Sequence, residues 1–453
     1  MKHLKEYSPI IIIFCLALLV RITYNLTIAR DYTPIFDAAL YNNIAQKLVD
    51  EHCFCLYTYH PAVSRPPLWP FIIAVIYLFA GKQEFFARLF LCFLGSGTCV
   101  LIYIFAKDLF GRHVALFTGT IAAIYTGLFI YDGWLYSESL YTFCLLMFTY
   151  SLYRLQNAPL PSALNTKNRC FRIFQNGRWI IVCGVFLGFL ALTRPNGLIV
   201  FGLVYAWAAI VMFAKIVPWR VAVRSSLIIT CIAAIMVAPW SYRNYVVSHA
   251  FVPVSTGTGE VLSGVYNNVV LNGSLAAPGM WEPPLHSISH DAYAYTPADD
   301  KADTARALSW IHAHLTAMPY LLGLHFINTW IPYTYSHGLP FEEFPTRPLS
   351  IFMFRLIPLM SIPIFFLAAL GLLLTWKQHK KRLLVVYLVI GLTIVQNIVT
   401  YGDMRFRAPI EPLLVLLTGG VLWWLMSRQG FKEGTTIESK LYISDELSAW
   451  IER

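Results

Sequence analysis

One stretch of the chain, residues 28–81, sets the expectations for the fold: IARDYTPIFDAALYNNIAQKLVDEHCFCLYTYHPAVSRPPLWPFIIAVIYLFAG. It follows the first long apolar run, yet charges and prolines interrupt it. Asp37 opens a helical pattern of apolar residues, and one helix and a loop later comes Ser64-Arg65-Pro66-Pro67, before a second short apolar piece. This combination of an acid on a helix and an Arg-Pro-Pro segment, set among many apolar runs, indicates a functional loop beside a membrane.

The composition indicates a membrane protein. The chain has 453 residues, of which 57% are hydrophobic and 13% charged, and its mean hydropathy is +0.59. Soluble domains carry roughly 25% charged residues. Many long apolar runs therefore predict an all-α polytopic membrane protein. The run that follows Met1 has no small-residue cleavage site, so we expect it to anchor the chain.

About ten transmembrane helices are predicted. Their approximate bounds are 9–27, 87–106, 114–131, 138–153, 179–193, 197–214, 225–240, 350–375, 383–400 and 410–427. Two further apolar pieces, 68–80 and 315–333, are short or interrupted by polar residues. A span needs about 20 apolar residues, so these two are expected to lie at the interface.

The charge distribution supports a model with ten spans and with 68–80 and 315–333 outside the membrane. With ten spans and the N-terminus inside, the inner segments hold 20 of the 34 basic residues and seven of the 24 acids. Counting either weak piece alone as a span would place the basic run 377–382 outside, against the positive-inside rule. The basic residues behind the net charge of +10 are then explained by the membrane topology, and a nucleic-acid partner is not expected.

The predicted organisation is one membrane domain, 1–427, with a short cytoplasmic tail, 428–453. Two long segments face outward: a first outer loop, 28–86, and a lid-like outer loop, 241–349. No internal repeat is visible, which weighs against the repeat-built transporters. The function is expected on the outer side.

Four outward acids, Asp37, Asp132, Glu138 and Asp403, are expected close to the membrane, and the first three are the candidates for catalysis. A charge there is costly unless it faces water or a cavity. Each also has a structural alternative: Asp37 as a helix N-cap, Asp132 as a turn former, and Glu138 as a partner of a helix dipole.

Five arginines at outer span ends form the second half of the pattern. The positive-inside rule does not explain them there, and a guanidinium binds phosphate in a bidentate manner. The alternative is that they pair with the outward acids or with lipid headgroups. These residues are Arg65, Arg194, Arg243, Arg405 and Arg407. An acid to remove a proton, beside arginines for a phosphate, indicates group transfer from a lipid phosphate.

Seven short motifs, in this order and spacing, carry a resemblance to a known family. They are Phe36–Tyr41, Ser64–Pro70, Ala106–Arg112, Ser137–Leu140, Leu192–Pro195, Pro239–Asn244 and Arg405–Pro409. Together they resemble the GT-C superfamily of polytopic glycosyltransferases, and most closely the family 39 type. That type includes protein O-mannosyltransferases and the lipid A aminoarabinose transferase. The resemblance implies a GT-C-like bundle with juxtamembrane helices in the first outer loop.

The resemblance also implies an activity. Such enzymes move a sugar, with inversion, from a polyprenyl-phosphate donor to a lipid, glycan or protein acceptor on the outer face, here of a bacterial inner membrane. Asp37 would be the general base. Glu138, with Asp132, would orient the acceptor or hold a divalent cation. The remaining candidates would bind substrate: Arg65, Tyr41, Arg194, Arg243, Asn244, Arg405 and Arg407.

Several alternatives stay open. The motif at Asp37 holds a single acid, unlike that of the protein mannosyltransferases, which makes a protein acceptor less secure. A transporter is disfavoured because the polar groups gather at one face. A ligase or polymerase of lipid-linked glycans is the nearer rival, and the donor would distinguish it. Cys53 and Cys55 are spaced tightly for a disulfide with each other, and their role is open.

Overall fold

The computed structural model describes residues 2–56, 61–158, 166–273, 278–283, 295–332 and 348–429. Within those ranges the regular structure is helical, apart from one isolated antiparallel bridge between Cys55 and Pro61. The helices, in chain order, are α1 (Lys2–Thr27), α2 (Phe36–Asp50), α3 (Leu68–Ala80), α4 (Glu84–Phe110), α5 (Arg112–Ile124), α6 (Thr126–Phe129), α7 (Glu138–Gln156), α8 (Thr166–Thr193), α9 (Ile199–Phe213), α10 (Trp219–Ser248), α11 (Thr258–Val265), α12 (Asn268–Asn272), α13 (Pro297–Ala313), α14 (Met318–Trp330), α15 (Pro348–His379), α16 (Leu384–Val399), α17 (Met404–Arg407) and α18 (Glu411–Arg428). The all-α prediction is confirmed.

A multi-pass membrane protein is also confirmed. Within the described ranges, six helices are long and apolar enough to cross a membrane, and a seventh span results if α5 and the segment after it, bent by 61°, are counted as one. Helices cover all ten predicted segments. Three of them, in α7, α8 and α16, are too short or too polar for that test. The count of ten therefore stays a prediction.

The centre of the bundle is built from α4, α7 and the first half of α18. The apolar stretches of α4 and of the segment Met404–Arg428 are each 61% buried within the protein, against 28% for those of α1 and α15. Nearly every residue of α7 is buried, and this helix packs on α4 and α8. A helix surrounded by protein does not need a lipid-facing surface, so α7 tolerates serine, threonine and tyrosine along its length.

The first outer loop contains the two predicted helices, α2 and α3. Between them the chain turns at Cys53 and Cys55, whose sulfur atoms are joined and whose Cα atoms are 5.2 Å apart. This Cα separation lies within the roughly 4.4–6.8 Å that disulfides commonly span, and the role of the two cysteines stays open. This turn brings the chain back toward Arg65.

The lid-like outer loop, 241–349, is called the second outer loop below. Its described part contains helices α11 to α14, and it is joined both to the first outer loop and within itself. The backbone N–H of Thr256 donates to the carbonyl oxygen of Val63 over 3.0 Å, which joins this loop to the first one. Asp300 accepts hydrogen bonds from the backbone of Gly257 and Gly259, at the start of α11. Parts of this loop (274–277, 284–294 and 333–347) and most of the predicted tail (430–453) lie outside the described residues.

Candidate functional site

Asp37 lies in the first turn of α2, but it does not cap the helix. The N-cap position is Ile35, and no side chain makes a capping hydrogen bond there. The preceding residue, Phe36, has a positive φ of 48°, which a bulky residue adopts only under constraint. This turn directs the Asp37 carboxylate toward arginines from elsewhere in the chain, so the capping alternative does not describe its role.

Both oxygens of Asp37 contact guanidiniums. Arg65 Nη2 lies 3.2 Å from Oδ1, and Arg405 Nη2 lies 2.9 Å from Oδ2. The Asp37 side chain is still 31% exposed. The carboxylate is therefore firmly paired and yet accessible from one side.

Arg405 also connects Asp37 to the second acid. Its Nε donates to Glu138 Oε1, and Arg194 Nη2 lies 3.4 Å from the same oxygen. The Glu138 side chain is fully buried at the start of α7. Asp403 caps α17 by accepting from the backbone N–H of Arg405 over 2.7 Å, and the guanidinium stacks 4.4 Å from the centre of the Tyr136 ring. These contacts fix Arg405 between the two acids.

We call these five residues the Asp37 network. Its members are Asp37, Arg65, Glu138, Arg194 and Arg405. Three guanidiniums face two carboxylates, so the network carries an excess of one positive charge. Within the described residues, Arg65 Nε and Glu138 Oε2 are buried without a hydrogen-bond partner. An excess of positive charge with a spare buried donor suits an anionic ligand such as a phosphate.

The charges around Asp37 decide its protonation. Burial alone would raise the pKa of this carboxyl, but Arg65 and Arg405 outweigh it and lower the pKa to about 2. Tyr41 lies one turn further along α2 and is buried. Burial, and then the negative charge of Asp37, raise the pKa of this phenol. At neutral pH the site therefore presents a carboxylate and a neutral tyrosine.

Three of the other predicted binding residues lie outside the network and hold loops in place. Arg243 donates to the carbonyl oxygens of Ala62 and Phe54, over 2.6 and 3.1 Å, and so fixes the turn of the first outer loop. The buried Asn244 side chain donates to two carbonyls of the segment after α10. Arg407 pairs with Glu411 over 2.7 Å. Their assignment to substrate stays a prediction.

Asp132 belongs to a different, fully enclosed group. Its Oδ2 accepts from Arg21 Nε over 2.7 Å, and neither side chain has any exposure. Asn25 donates to the backbone oxygen of Asp132, and Arg88 Nη1 donates to the oxygens of Asn25 and Gly133. We call Arg21, Asn25, Arg88 and Asp132 the Arg21 cluster. The structure does not bring Asp132 into ionic contact with any member of the Asp37 network.

The sequence pattern missed two residues near the network. Tyr136 stacks on Arg405, and nothing in its sequence context distinguishes it from 25 other tyrosines. Glu260, on α11 of the second outer loop, lies within electrostatic reach of Arg65 and Asp37. Burial raises the pKa of Glu260, while Arg65 opposes that rise. Glu260 lies in the long loop between the Pro239–Asn244 and Arg405–Pro409 motifs, and its sequence context gave no signal.

The donor set of the network fits an anion better than a divalent cation. Both Asp37 oxygens and one Glu138 oxygen face guanidiniums, and repulsion from three arginines opposes a metal ion there. Within the described residues, no group of three or more His, Cys, Asp or Glu side chains is placed to bind a metal. The three arginines therefore disfavour a divalent cation at this network.

Solved structures of the same fold are oligosaccharyltransferases. The archaeal oligosaccharyltransferase AglB from Archaeoglobus fulgidus, in complex with an inhibitory peptide and a dolichol-phosphate, matches 97% of this chain and 52% of its own, with 13% identity and a TM-score of 0.56. The Archaeoglobus fulgidus oligosaccharyltransferase tethered with an acceptor peptide matches 94% of this chain and 51% of its own, with 12% identity and a TM-score of 0.58. The chain thus spans about half the length of these enzymes.

ArnT from Cupriavidus metallidurans, bound to undecaprenyl phosphate, matches 92% of this chain and 78% of its own, with 15% identity and a TM-score of 0.43. No family model and no curated protein matches the chain. The likeness to these oligosaccharyltransferases shows that the chain shares their fold over about half of their length, in line with the GT-C-like bundle that the motifs predict.

Proposed function

We propose that this protein is an inverting glycosyltransferase that moves a sugar from a polyprenyl-phosphate donor to an acceptor hydroxyl on the outer face of the membrane. The observation that carries the proposal is the Asp37 network. It combines one partly exposed carboxylate with three guanidiniums at the end of a membrane bundle. A carboxylate accepts a proton, and a guanidinium cluster stabilises a departing phosphate.

The reaction follows from these roles. The acceptor hydroxyl gives its proton to Asp37 as its oxygen forms a bond to the anomeric carbon. The bond from that carbon to the phosphate oxygen breaks in the same step, and the polyprenyl phosphate leaves with the electron pair. Arg65 and Arg405 stabilise its negative charge, and the buried Glu138 holds Arg405 in position. Attack opposite the leaving phosphate inverts the anomeric centre.

The second outer loop adds a cover for this chemistry. It is bound to the first outer loop beside Arg65, through the hydrogen bond from Thr256 to Val63. Glu260 from the same loop lies within electrostatic reach of Arg65. A segment placed there excludes water from a glycosyl-transfer step, which protects the donor from hydrolysis.

The direct test is sugar transfer by the purified protein in liposomes. The substrates are a panel of radiolabelled polyprenyl-phosphate sugars with membrane lipid extract as acceptor. Asp37→Asn is expected to lower the transfer rate about 10²- to 10⁴-fold, the usual contribution of a general base. The matched control is Asp108→Asn. Asp108 lies in the last turn of α4 and pairs with Arg154, and neither residue belongs to the Asp37 network. Near-normal transfer by Asp37→Asn would remove Asp37 from the mechanism.

A second candidate is a ligase that moves a glycan from a pyrophosphate-linked lipid. The fold match to oligosaccharyltransferases is the observation that favours it. The same liposome assay separates the two candidates, because each donor is supplied alone. Turnover of the monophosphate donor supports the glycosyltransferase, and turnover of only the pyrophosphate-linked glycan supports the ligase.

A further inference from the structure

The two guanidiniums that would bind the donor phosphate are the same two that pair with the candidate base. Arg65 holds one oxygen of Asp37 and Arg405 holds the other. In this arrangement the carboxylate is a poor proton acceptor, because its lone pairs are shared with two cations. A phosphate arriving at the same arginines must compete with Asp37 for them.

We propose that the donor binds before the acceptor, and that its phosphate activates Asp37 by drawing Arg65 and Arg405 away from it. This inference rests on the proposed function. It adds to that function an order of binding and a cause for the order. Without a donor the base stays paired, so an acceptor that arrives first meets an unreactive carboxylate.

The geometry allows both arginines to leave Asp37 without losing their places. Arg405 contacts Asp37 through Nη2, while its Nε is held by the fully buried Glu138. Arg65 contacts Asp37 through Nη2, while its Nη1 donates to the carbonyl oxygen of Ser64 over 3.0 Å. Each guanidinium therefore has a separate anchor that persists when its contact to Asp37 is exchanged for one to phosphate.

The direction in which the pKa of Asp37 would change agrees with this order of binding. Asp37 interacts electrostatically with Arg65, Arg194, Arg405, Tyr41 and Glu260. Burial raises the pKa of Asp37, and the arginines lower it to about 2. A bound phosphate would neutralise the arginines and leave the burial effect in place. The pKa of Asp37 would then rise, which makes the carboxylate a better base at the moment it is needed.

The first experiment measures binding of a polyprenyl phosphate, the product lipid, to the full chain in detergent. Removing the competing anion with Asp37→Asn should tighten binding about three- to tenfold, as expected for partly exposed ion pairs. Asp108→Asn, the matched control, should leave the affinity unchanged. The affinity is calculated per folded molecule, from the fraction that survives size-exclusion chromatography.

The outcomes separate this inference from the proposed function. If the unmodified protein binds the lipid and Asp37→Asn binds it equally or more weakly, the competition is absent and the order of binding is overturned. The proposed function would survive that result. If the unmodified protein does not bind polyprenyl phosphate at all, the proposed function fails, and this inference fails with it.

A second measurement is made first on the unmodified protein. An infrared difference spectrum of the unmodified protein, with and without polyprenyl phosphate, should show a shift of a carboxylate stretching band as Asp37 loses its guanidinium partners. The same difference band should be missing from Asp37→Asn. A spectrum without any carboxylate change on lipid binding would contradict the release of Asp37.

Discussion

The Asp37 network and the Arg21 cluster both pair arginine with acid, but they differ in what surrounds the charges. Arg21 and Asp132 have no exposed surface, whereas the Asp37 side chain is 31% exposed. The other donors of Arg21 go to the carbonyl oxygens of Ala17 and Ala123 and to the sulfur of Cys99. In the Asp37 network, most contacts run from one ionised side chain to another.

This difference indicates which group of charged residues holds the fold together and which group can exchange partners with a ligand. In the Arg21 cluster, buried side chains hold the backbone that precedes α7: Asn25 binds the carbonyl of Asp132, and Arg88 binds that of Gly133. No ligand can replace those contacts without moving the chain. In the Asp37 network a phosphate can take the place of a carboxylate, because it offers the same charge and the same bidentate geometry.

The largest expected effect comes from breaking the buried pair. Arg21→Met or Asp132→Asn alone leaves one partner buried and uncompensated, which should lower the free energy of unfolding by about 3–5 kcal/mol. The double variant removes both charges and should recover most of that loss. The measurement is unfolding in mixed detergent and SDS micelles.

A different outcome would reverse the comparison between the two groups. If Asp132→Asn folds as well as the unmodified protein yet loses sugar transfer, then Asp132 acts in the reaction as its sequence context predicted. Additive losses in the double variant would show that Arg21 and Asp132 are not coupled to each other.

The next prediction compares substitutions of Arg405 and Arg407, which are two residues apart. Arg405→Lys keeps the charge but cannot donate to both Asp37 and Glu138 in the geometry of a fork, so sugar transfer should fall about 10- to 100-fold. Arg407→Lys disturbs a buried pair with Glu411 and two carbonyls of the second outer loop. It should lower the unfolding midpoint more than it lowers transfer per folded molecule.

Equal losses of transfer in the two variants would contradict this distinction. Arg407 would then belong to the substrate site, as the sequence analysis predicts, and its contacts to α14 would serve the reaction. The assay needs both quantities on the same preparation, because a drop in folded protein otherwise imitates a drop in turnover.

Much of the candidate site could be predicted from the sequence, because charges at the outer ends of apolar runs are costly and therefore informative. Asp37, Arg65, Glu138, Arg194 and Arg405 were all found this way, although they come from distant parts of the chain. The fold class followed from the apolar runs and the motif order. The sequence alone could not show which arginine pairs with which acid.

The residues outside the network show why. Arg243 and Arg407 have the same sequence signature as Arg405, yet the structure pairs them with loop carbonyls and with Glu411. Most of these partners are distant in the sequence: Thr329 is 78 residues from Arg407, and Ala62 is 181 residues from Arg243. The sequence analysis did not select Arg21 and Arg88, although each is a charge within or at the edge of an apolar run. That signal indicates burial with a partner and does not identify the partner.

The smallest expected effect tests how rigid the Arg21 cluster is. A methyl group at Gly95 of α4 would lie 2.2 Å from Asp132 Oδ2 and 2.6 Å from Arg21 Nε, so Gly95→Ala should lower the free energy of unfolding by about 1–3 kcal/mol. Gly391→Ala in α16 is the control, because its methyl group would meet nothing within 4 Å and alanine favours the helix. A Gly95→Ala protein as stable as the control would mean that the buried pair shifts easily. The Arg21 cluster would then be as adaptable as the Asp37 network, and burial alone would not separate a structural ion pair from an exchangeable one.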